Sequence, residues 1–338
     1  MTVRAVHTGV DAARGLSHPS GDDGLEVARH PDAAQAKTTM TGTTVHALLR
    51  SDPRVFRDAR SIIAESIWWN PSGALEWCDI DAGVIHSSPL DGPADGSADR
   101  LLELPPPIAA FQPADEGYVV ADLDSVFLVG ADGSNRRTLA RVEYASGGIR
   151  FNEAKCDPFG QFVVGSMEVM AGDRKAAIYV VTAEGGCRVL IDGIGVANGF
   201  EWSDDGGTMW FTDTATETIF VGDYDGNRLE NVRTFASGRA SDGLARDADG
   251  GFWNGINDIG HVVHWTADGE VDLEFDVPAG HVTSVGFGGA DLSTLFIATA
   301  REKLTEQQLV DEPLTGSIFA VETATHGFPA RRFGSRIR

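Results

Sequence analysis

The chain has 338 residues, with 27 Lys and Arg against 50 Asp and Glu, for a formal charge of −23. So acidic a surface repels a phosphate backbone and offers no polybasic patch, so neither a nucleic-acid partner nor membrane-surface binding is expected. Three cysteines (Cys78, Cys156, Cys187) show no CxxC spacing. No apolar run approaches the roughly 20 residues of a membrane span and no charged-then-apolar leader is read, so a reduced, cytoplasmic protein is expected.

Residues 1–42 carry no sustained hydrophobic period and read as an unstructured tail. From residue 43 to 338 the texture changes to short apolar runs alternating with turns of Gly, Asp, Asn or Ser, as sheets joined by tight hairpins require. The turn-then-strand phrases are NPSGALEWCDI from Asn70, DPFGQFVVGSM from Asp157, SDDGGTMWFTD from Ser203, DADGGFWNGIN from Asp247 and GGADLSTLFIA from Gly288. Successive starts lie 87, 46, 44 and 41 residues apart, and the long first gap holds a less regular copy, EGYVVADLDSVFLVGADG from Glu116. Six units of this period, about four strands each and without helical stretches between them, predict an all-β, six-bladed β-propeller. Trp68, Trp69, Trp77, Trp202, Trp210 and Trp253 fall in its strands and are expected to pack between sheets; Asp79 and Asp213 follow strands and should brace turns.

Five residues before each phrase stand Glu65, Asn152, Asn198, Asp242 and Thr283. Equivalent positions in a ring of blades share a height and radius, and these five all carry side-chain oxygen. Two carboxylates crowded into a narrow channel repel and are costly to bury, and a divalent cation relieves both problems. An all-oxygen set favours Ca²⁺ (with Mg²⁺ or Mn²⁺ next), while Zn²⁺ or Fe²⁺ stays open. Arg150 lies two residues before Asn152, on the same strand face, where it can hold an oxygen-rich substrate or pair with an acidic neighbour. The histidines show no HxH or HExxH spacing, so a histidine-based metal site is not expected.

These residues also carry a resemblance. RFNEAKCDPFGQFVVGSM, VANGFEWSDDGGTMWFTDT, SDGLARDADGGFWNG, SVGFGGADLSTLFIATARE with PLTGSIFAV, and IIAESIWWNPSGALEWCDIDAGVIH together resemble the ordered motifs of the senescence marker protein/regucalcin/gluconolactonase family over residues 45–325. The resemblance implies a divalent metal on the propeller axis, held by Glu65, Asn198 and Asp242, with Arg150 and Asn152 contacting substrate. It implies hydrolysis of sugar lactones, with a small-molecule lactone as partner; a monomer or weak homo-oligomer is expected. Three departures stand out: AES where GEGP is usual beside Glu65, RFNEAK where the family has RFNDGK, and Met170 where some sugar lactonases carry an acidic contact.

The chemistry so implied is water attack on a lactone carbonyl polarised by the metal, with Asp242 as general base and Glu65 as the alternative. Hydrolysis of other esters or phosphotriesters, and calcium binding without catalysis, remain open at this stage.

Overall fold

The computed structural model describes residues 2–4, 45–144, 146–169, 173–257 and 260–335. Six sheets, each with four antiparallel strands, follow one another along residues 54–322; in five of them those four strands are consecutive, and Thr2–Arg4 adds a fifth, parallel strand to the edge of the second. Their innermost strands are Ala64–Asn70, Ala110–Pro113, Ile149–Cys156, Ala197–Trp202, Ser241–Arg246 and Val282–Gly288, and each touches its neighbour around a closed ring. The expected six-bladed propeller is what the chain forms. Helix is confined, among the described residues, to Val45–Leu48, Glu306–Asp311 and a 3-10 turn at Thr214–Thr216. No helix among them is long and apolar enough to cross a membrane.

The repeated turn has one physical form. In four units the glycine three residues after the turn start (Gly73, Gly160, Gly206, Gly250) takes a left-handed φ of 73° to 96°, which a side chain would strain. Its N–H donates to the carbonyl at the turn start, as in Gly73 N to Asn70 O at 2.9 Å. Where that start is Asp, the carboxylate caps the turn: Asp157 Oδ1 accepts from the amides of Phe159 and Gln161, and Asp247 Oδ1 from those of Asp249 and Gly251.

Ring closure uses a strand from the other end of the sequence. Arg54–Arg57 pairs with Ile318–Glu322 and completes the sixth blade as its outermost strand. A C-terminal strap then crosses beneath the ring: His326 O accepts from Ala248 N of the fifth blade, and the amides of Phe333 and Gly334 reach Pro113 O and Gly160 O of the second and third. Of the 1–42 segment read as a tail, only Thr2–Arg4 lies among the described residues, running parallel to Arg137–Glu143.

Tryptophans fill the spaces between blades. Trp77, Trp202 and Trp253 are fully buried in the cores joining the first and sixth, third and fourth, and fifth and sixth blades. Trp253 also donates its Nε1 to Asp247 Oδ2 at 3.0 Å, and that oxygen lies 3.0 Å from His264 Nε2 while Asp272 holds Nδ1. Burial pulls the His264 pKa down, yet the two carboxylates outweigh it and the net shift is upward from 6.5. Burial pushes Asp247 up, but His264 and the turn amides leave it below the usual carboxylate value. This pairing therefore stabilises the fold below pH 6.5 and fades as pH rises through the raised histidine pKa; on the acid side it fades as pH falls below the ordinary carboxylate range of about 4. The melting-temperature gap between wild type and His264→Gln should be widest at about pH 5–6 and shrink by about pH 9. A calorimetric pH series with a constant gap would contradict this assignment.

Candidate metal centre

Glu65, Asn198 and Asp242 each stand second in their innermost strand, beside a register shift against the next strand: Glu65/Trp68, Asn198/Phe200 and Ser241/Leu244. Asn152 and Thr283 stand beside the corresponding shifts, Phe151/Ala154 and Val282/Val285. A bulge bends the strand and re-aims the side chain next to it, and Ser66, just after Glu65, takes the left-handed φ of 54° that such a bend needs. The turn-bracing aspartates set the approach. Asp79 accepts from the amides of Ile62 and Ile63, and Asp213 from those of Gly195 and Val196, which fixes the chain just before Glu65 and Asn198.

The Asn198 amide has one orientation consistent with its neighbours. Thr214 Oγ1 spends its single proton on Ser241 O at 2.6 Å, so that oxygen must accept from Asn198 Nδ2 at 2.9 Å. Asn198 therefore presents Oδ1 on its other side, where Asn152 Nδ2 donates at 2.9 Å and one lone pair is left. Arg150 donates to Asn152 Oδ1 at 3.3 Å and to Phe151 O at 2.8 Å, which joins the two expected substrate contacts into one unit. Thr283 differs: its hydroxyl donates to Ala64 O and ties the sixth blade to the first.

Asp242 leaves one carboxylate oxygen open to the channel. Its Oδ2 accepts from Asn257 Nδ2 at 2.8 Å, while Oδ1 is buried with no partner among the described residues. A buried carboxylate oxygen left unmatched is expensive, so it calls for a ligand. Burial, then the charges of Asp242 and Glu153, push the Glu65 carboxyl well up; burial also pushes Asp242 up, helped by Glu153 and opposed by Asn257. Such a pair resists ionising together unless a positive charge joins it. The donors Glu65, Asn198 and Asp242 are all oxygen and suit a hard divalent ion. No three His, Cys, Asp or Glu side chains among the described residues cage a metal by themselves, so such an ion would depend on the Asn198 amide and on water.

Around Arg150 the rim is acidic. Burial lowers the guanidinium pKa, while Asp81, Glu302 and Glu65 act to raise it. At the far end of the channel a cavity of about 60 Å³ is lined by Lys155, Glu201, Arg246 and, from the strap, residues 328–331. Met170, the position of the third sequence departure, lies outside the described residues. Sequence reading missed Thr214 and Asn257, the partners that orient Asn198 and Asp242. It also missed Glu153, although RFNEAK sets that residue directly after Asn152.

A six-bladed β-propeller with carboxylates and amides at equivalent positions of its inner strands is a scaffold for an axial oxygen-donor site. Residues 63–301 match the family model described as the SMP-30/Gluconolactonase/LRE-like region. The chain belongs to that family. It is 32% identical over 275 residues to a 6-deoxy-6-sulfogluconolactonase of Pseudomonas putida, covering 79% of this chain and 93% of that one. It is 28% identical over 302 residues to an L-arabinolactonase of Azospirillum brasilense, covering 83% and 95%. The crystal structure of a calcium-binding protein, regucalcin, from Agrobacterium tumefaciens superposes with a TM-score of 0.77 at 25% identity, covering 84% of this chain and 98% of that one.

Proposed function

We propose that the protein is a metal-dependent lactonase that opens sugar-derived (aldono-) lactones to hydroxy acids. The observation that carries this reading is the buried, unpartnered Oδ1 of Asp242 beside Glu65 and Asn198, in a chain whose relatives are named as lactonases. Glu65, Asn198 and Asp242 would hold one divalent ion, Ca²⁺ first by donor chemistry, with Mg²⁺, Mn²⁺, Zn²⁺ or Fe²⁺ as alternatives. When bound, that ion supplies electrophilic polarisation of the lactone carbonyl and stabilises negative charge on its oxygen.

The chain's own residues do the rest. Arg150 and Asn152 orient the lactone through its ring oxygen or hydroxyls. Asp242, whose Oδ1 has no partner among the described residues, takes the proton from the attacking water as the water oxygen bonds to the carbonyl carbon. The ring C–O bond then breaks, and the departing alkoxide recovers that proton to give the free hydroxy acid. Asp242 serves here as both donor to the ion and base, with Glu65 the alternative base.

Arg150→Ala should lower kcat/KM about 10- to 100-fold, the loss of a charged hydrogen bond to substrate. It should leave the rise in melting temperature on metal addition intact. A loss of both would make Arg150 a structural residue.

The substrate class is tested with metal-loaded protein and a panel of five- and six-membered aldonolactones, an aryl ester and a phosphotriester, following acid release in weak buffer. Turnover led by the aldonolactones supports the reading, and preference for the aryl ester or phosphotriester replaces it. Metal binding without any turnover favours the calcium-binding role named for the regucalcin neighbour.

A further inference from the structure

Next to the ring of donors lies a small cavity of about 20 Å³, lined by Ser66, Gln112, Glu153, Lys155, Leu244 and Ser284 among others. Its volume is that of about one water, and its hydroxyls, amide and carboxylate supply the two to four partners a buried water needs. Three of these residues hold one repeat position: Ser66, Glu153 and Ser284 each directly follow a ring residue (Glu65, Asn152, Thr283), while Gly199 and Gly243 follow Asn198 and Asp242. Glu153 is the single charged member of this second tier.

The counter-charges in the channel are already committed. Lys155 Nζ lies 2.6 Å from Glu201 Oε1 and donates to Leu244 O at 3.3 Å. Glu153 keeps a hydrogen bond from Ala154 N at 2.7 Å, and among the described residues it forms no ion pair. Burial pushes the Glu153 carboxyl up to about 7, and Lys155, shared with Glu201, offsets this only in part; a carboxylate so placed is costly unless its charge stabilises something nearby. The charge of Glu153 acts on both Glu65 and Asp242, adding to the burial that pushes each carboxyl up.

We infer that Glu153 is an outer determinant of the axial site: it does not touch the ion, but its charge, acting across the one-water cavity, sets how tightly Glu65, Asn198 and Asp242 hold a divalent cation. This rests on the metal reading proposed above and extends it to a residue outside the donor set. Outer partners of metal ligands alter affinity by about 10- to 100-fold when removed.

The test is calorimetric titration of chelator-stripped protein with CaCl₂ and, separately, MnCl₂, on wild type, Glu153→Gln, Glu153→Asp and Asp242→Asn, together with the melting temperature of each stripped protein. Glu153→Gln should bind about 10- to 100-fold more weakly, with a stripped melting temperature equal to or above wild type. Glu153→Asp, which keeps the charge, should recover most of the affinity. If Glu153→Gln binds as tightly as wild type while Asp242→Asn does not, the role of Glu153 is overturned and the metal centre stands. If Glu153→Gln and Glu153→Asp both bind weakly and both melt lower when stripped, Glu153 is a packing residue and the inference fails. If wild type itself binds neither ion, the metal reading fails, and the inference with it.

Discussion

Asp242→Asn is expected to lose about 10²- to 10⁴-fold of lactone hydrolysis at saturating metal, the typical value of a positioned proton-transfer group. The substitution is nearly isosteric, and the carboxamide can keep its oxygen on the ion if Asn257 turns its own oxygen toward the new NH2 group. What it removes is the ability to accept the water's proton. Stability should move the other way. In stripped protein Asp242 is a buried carboxylate beside Glu65; burial pushes its pKa up, and the charge of Glu153 adds to that against the hydrogen bond from Asn257. Removing that charge should leave the stripped melting temperature equal to or above wild type. Unchanged turnover would remove Asp242 from the mechanism. Lost turnover together with a lower stripped melting temperature would make it a structural residue.

The second large effect concerns ring closure. Arg57, on the closing strand, is 1% exposed. Its Nε donates to Asp99 Oδ1 at 3.1 Å, and its other nitrogens donate to the carbonyls of Phe56, Pro89 and Gly92. Gly92 has no room to spare, since a Cβ there would meet Arg57 Nη2 at 2.6 Å. Asp99→Ala leaves a buried guanidinium with neutral partners alone, and removing one member of a buried pair costs about 3–5 kcal/mol. Replacing both, as in Arg57→Met/Asp99→Ala, should recover much of that, because no uncompensated charge remains. Denaturant unfolding of the two single variants and the double variant measures it. An Asp99→Ala loss below about 1 kcal/mol, typical of an exposed pair, would show that this contact does not help hold the ring closed.

Much of this architecture is legible in the sequence because each blade repeats the same turn. A left-handed glycine three residues after an Asn, Asp or Ser fixes the hairpin locally, so Gly73, Gly160, Gly206 and Gly250 mark their blades without reference to the rest of the chain. The same register points to Glu65, Asn152, Asn198 and Asp242, because equivalent positions of a ring fall at one height. The structure adds that a bulge stands beside each of them.

The illegible parts depend on long-range contacts. Nothing local marks Arg54–Arg57 as the outer strand of a blade whose other strands begin at residue 282. Thr214 and Asn257 belong to loops outside the repeat phrase and gain their roles only when the fold brings them to Asn198 and Asp242. Thr283 shows the converse. It occupies the ring position, but its hydroxyl is spent on Ala64 O, so repeat equivalence gives a residue's location and not its task. Glu153 escaped for a related reason: it lies one residue past the ring position, and its closeness to two other carboxylates follows from the closure of the channel.

The most direct test of the central claim is lactone hydrolysis by chelator-stripped protein, with Ca²⁺, Mg²⁺, Mn²⁺, Zn²⁺ or Fe²⁺ restored one at a time. Turnover is expected to be negligible in stripped protein, to recover with at least one ion, and to show no comparable recovery in Asp242→Asn. Full turnover without metal would contradict the axial site's role in catalysis. A metal-induced rise in melting temperature with no lactone opened would leave the ion site standing and contradict the lactonase.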